Sequence, residues 1–135
     1  MAQYSTLYSD DKNPPKQAGL RKLVQLSVLQ GYPAAKIWVL AKQELHGLFA
    51  GNLTPRELAE LAGGGLRLDG IELQLVTPRI RSFVRGPILG LFSPQKYWVP
   101  LVNNPLTTDF ILVPWVQNEF DLFRRNYPDA QLVEV

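Results

Sequence analysis

The longest regular pattern in the chain is an apolar stripe made of Ala34, Ile37, Trp38, Ala41, Leu45 and Leu48. These positions recur at helical spacing, while Lys36, Lys42, Gln43 and Glu44 fall mostly off the stripe. The pattern predicts a helix over 34–48 with Trp38 turned into the core. Pro33 suits its first turn and Gly51-Asn52 its end. A second, shorter helix is signalled by Thr54-Pro55-Arg56-Glu57: a threonine cap, a proline in the first turn and a glutamate three residues after the cap. Gly63-Gly64-Gly65 stops it. Leu20–Gln30 fits two periods. Leu20, Leu23, Val24 and Val28 share a helical face, but Val24, Leu26 and Val28 alternate, and the β-branching of the two valines favours a strand.

Beyond the glycines the period becomes two. Leu66–Leu68 and Ile71–Leu75 flank Asp69-Gly70, a pair that tolerates the positive φ angles of a tight hairpin turn. Further strands are predicted over Arg79–Arg85, Ile88–Phe92, Lys96–Leu101 and Asp109–Val113, each bounded by Pro, Gly or Asn. Val116–Asn126 returns to a helix with Phe120 and Phe123 inward, and Gln131–Val135 reads as a last strand. Asp109–Val113, that helix and Gln131–Val135 read as a β-α-β unit contributing one parallel pair. The expected fold is α+β: a mostly antiparallel sheet of about five strands with two main helices packed on one face.

Residues 1–19 show neither period and carry Pro14-Pro15 and Gly19. They are expected to form a flexible or partner-bound arm before a single domain of residues 20–135, with Tyr4, Leu7 and Tyr8 as its anchors.

Composition narrows the chemistry. A chain of 135 residues with 46% hydrophobic and 19% charged residues is globular and the size of one domain. The absence of cysteine removes disulfides, thiolate nucleophiles, cysteine zinc sites and cysteine-ligated iron–sulfur clusters. His46 is the one histidine and has no second histidine to form a metal pair. The opening MAQYSTLYSDDKNPPK has no signal-peptide pattern, and apolar stretches such as Ile37–Ala41 are far short of the roughly 18 residues of a membrane span. A soluble, cytoplasmic protein without metal, cofactor or membrane partner is expected.

No catalytic set emerges. There is no GxSxG elbow around any serine, and the triple glycine follows a helix with no GKS or GKT after it. Asp69, Glu72, Asp109, Glu119 and Asp121 show no spacing that pairs two carboxylates for acid–base work. Leu53–Ala62 resembles the first helix of a helix-turn-helix, but three glycines stand where a recognition helix is needed. A non-enzymatic role is therefore expected.

Charge distribution adds one candidate. The formal net charge is only +2, yet residues 73–108 contain Arg79, Arg81, Arg85 and Lys96 and no acid. In a strand, Arg79, Arg81, Phe83 and Arg85 share one face, a basic surface with an aromatic that suits phosphates and a stacked base. Lys96 and Tyr97 extend it. No RNP-type aromatic pattern or KH-type GXXG loop accompanies it. The other distinctive feature is aromatic–proline richness, in Tyr97-Trp98-Val99-Pro100 and Val113-Pro114-Trp115, which suits edge strands and contact surfaces. The leading expectation is a non-catalytic protein–protein interaction or assembly subunit of a larger complex, with a protein partner or a second copy bound. The alternative is a nucleic-acid-binding protein using Arg79, Arg81, Phe83 and Arg85.

Overall fold

Three runs are buried residue after residue instead of alternately: Ala34–Trp38, Gly86–Leu91 and, from Asp109 onward, the run to Val113. A strand reads this way when both its faces are covered, as in a parallel sheet between two layers of helices. The computed structural model, which describes residues 1–82 and 84–135, has that architecture. Its strands are β1 (Ala2–Thr6), β2 (Ala34–Trp38), β3 (Leu66–Leu68), β4 (Ile71–Val76), β5 (Gly86–Leu91), β6 (Thr107–Val113) and β7 (Gln131–Val133). Its helices are α1 (Asn13–Gln30), α2 (Leu45–Leu48), α3 (Pro55–Ala62), α4 (Gln95–Asn103) and α5 (Gln117–Asn126). The sheet order is β3-β4-β2-β5-β6-β1-β7, with only β3 and β4 antiparallel.

The mixture of helices and one sheet is the expected one, but the sheet has seven strands and is mostly parallel, and its helices lie on both faces. Ala35, Ile37, Leu89, Leu91, Ile111 and Val113 pack with α1, α2 and α3. Trp38, Ile88, Phe110 and Leu112, one step along the same strands, pack with Trp98 of α4 and Phe123 of α5.

The predicted 34–48 helix is instead β2, a 3-10 turn at Lys42–Glu44 and the short α2. Its stripe was a by-product of burial on both faces, since every residue from Ala34 to Val39 is inside. Leu20–Gln30, read as a strand, is the second half of α1, whose proline-bearing first turn begins at Asn13 and which ends on Gly31 at φ 73°. Its core side is Leu20, Leu23 and Leu26, whereas Val28 points to solvent. Residues 1–19 are not an arm. Residues 2–6 form β1, paired in parallel with β6 on one side and β7 on the other, and residues 13–19 open α1. Ser5 and Thr6 are buried there, and the Ser5 hydroxyl is satisfied locally by donating to the Thr6 carbonyl at 2.8 Å.

Two more predicted strands fail. Among the described residues, 79–85 contains no strand, because the Thr77 hydroxyl accepts from the N–H groups of Arg79 and Ile80 and turns the chain as β4 ends. Residues 96–101 lie in α4. β6 and β7 do run parallel around α5, but β1 lies between them. The capping box of Thr54 and Glu57 and the Asp69-Gly70 turn with φ of 50° and 80° stand as read from the sequence; α5 forms where expected, but of its two phenylalanines only Phe123 enters the core, Phe120 being half-buried outside it.

Candidate functional site

Parallel neighbours need a crossover, usually of a dozen or more residues and usually helical. The chain leaves β4 and returns to start β5, two places away in the sheet, through residues 77–85, with no helix among those described. Two adjacent polar side chains on the sheet hold this thin crossover down. Gln74 of β4 and Lys36 of β2 stand opposite each other in register. Gln74 Oε1 accepts from the Ser82 hydroxyl at 2.6 Å, and Lys36 Nζ donates to the Val84 carbonyl at 2.9 Å. The Ser82 hydroxyl also accepts from the Val84 N–H at 3.3 Å.

Where a helix would have filled the space, a cleft of about 470 Å³ remains. Its floor is the sheet face bearing Lys36, Trp38, Val76 and Ile88. One wall is the crossover, with Thr77, Pro78, Arg81 and Ser82. The other runs along α4 through Lys96, Tyr97, Pro100 and Leu101 to Asn104 and the start of β6. Lys36, Arg81 and Lys96 face the cleft, and no carboxylate is among its lining residues. Lys36 is only 4% exposed, and burial holds its ammonium below the ordinary lysine pKa. A cation removed from water and bonded to a neutral carbonyl is electrostatically under-compensated, so this position favours an arriving anion. Beside it, the rings of Trp38 and Tyr97 lie 5.1 Å apart with a 38° tilt, and Lys96 Nζ sits 4.9 Å from the Tyr97 ring centre. Trp38 is buried, whereas Tyr97 is half-buried and forms part of the cleft wall.

Of the basic and aromatic residues singled out in the sequence, Arg81, Lys96 and Tyr97 come together here. Arg79 and Arg85 are exposed near the two ends of the crossover, and Arg85 reaches to 3.5 Å from the Pro105 carbonyl. They share no strand face, and Phe83 lies outside the described residues. Tyr4, Leu7 and Tyr8 do not act as one anchor. Tyr4 is in the core, where burial and the charge of Asp109 raise its pKa; Leu7 is exposed. Tyr8 donates to Asp10 at 2.5 Å and stands against Lys12, whose Nζ also lies 5.1 Å from the Trp115 ring. Sequence reasoning missed Lys36 and Trp38 as site residues. The available signal was a lysine inside the apolar run Ala34-Ala35-Lys36-Ile37-Trp38, since a charge in a buried strand needs a reason.

Among the described residues, no helix is long and apolar enough to cross a membrane, and no cluster of three or more His, Asp or Glu side chains is placed to hold a metal ion. Comparison with family models, curated proteins and solved structures finds no match.

Proposed function

We propose that this is a cytoplasmic, non-catalytic nucleic-acid-binding domain whose contact surface is the crossover between β4 and β5 together with α4. The observation that carries this reading is the convergence of Arg81, Lys96 and Tyr97 with Lys36 and Trp38 in one cleft without an acid. Lysines and arginines neutralise phosphates and release their counterions, and an accessible aromatic ring stacks a base whatever its identity. Arg79 and Arg85, exposed outside the cleft, extend the positive surface along the crossover. The test is the salt dependence of binding to single-stranded and duplex oligonucleotides. Changing Arg79, Arg81 and Arg85 together to Gln is expected to flatten the slope of log affinity against log salt by roughly two to three units. No binding of either form at low salt defeats the reading.

One observation favours a second reading, an interaction or assembly subunit. Leu7, Trp115 and Val116 are 54%, 51% and 42% exposed just past the carboxyl ends of β1 and β6. An aromatic among exposed aliphatics is the composition of a contact surface. The N-terminal segment no longer contributes to this reading as a free arm, because β1 is inside the sheet. Sedimentation of the wild type and of Trp115→Ser tests it: a purely monomeric wild type that captures no partner removes it.

A further inference from the structure

We propose that the cleft receives a terminal phosphate monoester carried next to an aromatic ring system, either a mononucleotide or the phosphorylated end of a nucleic-acid strand. This deepens the nucleic-acid reading and rests on it for the second of those sources.

The cleft is closed at its floor. Lys36 and Trp38 are 4% and 2% exposed and belong to a central strand whose opposite face is covered by the α1 side of the core. A strand passing through needs an entry and an exit, so an internal phosphate cannot descend to Lys36 without a sharp fold in the ligand. A chain end can. Charge points the same way. An internal diester carries one negative charge, whereas a monoester carries about 1.5 to 2 at neutral pH, a better match to Lys36, Arg81 and Lys96.

Lys36 supplies the anchoring chemistry. An ammonium has three donors, and among the described residues Lys36 makes one hydrogen bond, to the Val84 carbonyl. A phosphate oxygen gives this buried cation a charged partner that the fold itself does not place in the cleft. Tyr97, backed by Trp38, forms an adjacent wall on which a base can stack. A volume of about 470 Å³ lies in the range of small-ligand sites.

The test uses the full chain in calorimetric titrations with adenosine 5′-monophosphate, its phosphate methyl ester and adenosine. In parallel, single-stranded DNA oligonucleotides of one sequence carry a 5′-phosphate, a 3′-phosphate or neither. The monophosphate is expected to bind at least about tenfold more tightly than the methyl ester or the nucleoside, the size of a charge-assisted contact. Lys36→Met and Arg81→Gln are each expected to remove most of that preference, and Tyr97→Leu to weaken all three ligands alike. Because Lys36→Met also frees the Val84 carbonyl, Arg81→Gln and Lys96→Gln, at exposed positions, carry the test if that variant folds poorly. Strands that bind regardless of end chemistry, with no preference for the monophosphate, overturn the end pocket and leave the nucleic-acid reading standing. Monophosphate binding without strand binding upholds the pocket, identifies the mononucleotide as its ligand and overturns the nucleic-acid reading. Strand binding that requires a terminal phosphate supports both.

Discussion

Lys36 Nζ donates to the backbone carbonyl of Val84 at 2.9 Å, joining residues 48 positions apart in the chain. The contact ties β2 to the crossover that walls the cleft, so the same ammonium serves as a strut for the fold and as the floor cation of the candidate site. Retaining a buried lysine at this point is costly, and its titration is measurable.

Burial lowers the Lys36 pKa below its ordinary 10.5. Between the lowered folded value and 10.5 the unfolded chain holds more protons than the folded one, so this group makes stability rise with pH across that window. Lys16 is lowered by burial as well, and a variant is needed to isolate Lys36. Denaturant unfolding of the wild type and of Lys36→Met, from neutral pH to above 10.5, is expected to show wild-type stability gaining on the variant as pH rises. Arg81 and Lys96, the other charged groups in the cleft, are unchanged in that comparison. A constant difference between the two proteins contradicts the assignment.

Trp38 is 2% exposed and lies within the core of the α4–α5 layer. Trp38→Ala is expected to cost about 3–5 kcal/mol, as large cavities do. Chemical denaturation measures it directly, and a loss below about 1 kcal/mol places the side chain outside the packed core.

β1 lies between β6 and β7, so deleting residues 1–6 removes an internal strand and leaves β7 without its parallel neighbour. The truncated chain is expected to lose cooperative thermal unfolding, followed by far-ultraviolet circular dichroism. A sharp transition near the wild-type midpoint returns this segment to the role of an accessory arm.

Gly86 opens β5 against β2, and a Cβ there meets the carbonyl oxygen of Ala34, a backbone atom with no room to retreat. Gly86→Ala is expected to destabilise the protein by about 1–3 kcal/mol. Gly47, in α2, has nothing within 4 Å of its added Cβ. Gly47→Ala is expected to stabilise by about 0.4–1 kcal/mol through reduced freedom of the unfolded chain. Unfolding midpoints of the two variants should therefore move in opposite directions.

The features legible in the residues are those whose physics is local. The Thr54–Glu57 capping box closes between groups three residues apart, and Asp69-Gly70 turns on the φ preferences of its own two residues. The amphipathic α5 is periodic because only one side of it faces the core. Lack of cysteine is likewise a property of composition alone. Pairing is different, because its determinants are far apart in the chain. Ala34–Trp38 resembles a helical stripe until β4 and β5 flank it and layers cover both faces, at which point burial no longer alternates. The polar segment before α1 becomes an internal strand only because β6 and β7 leave a gap that it fills. Of the candidate site, the basic and aromatic residues Arg81, Lys96 and Tyr97 are visible in the sequence, but their meeting with Lys36 and Trp38 is not. That meeting depends on a crossover with no helix in its described residues, folded back over a strand some 48 residues earlier. A residue's own preferences set its turn or cap, whereas its burial and neighbours are set by surfaces that exist only once the chain has folded.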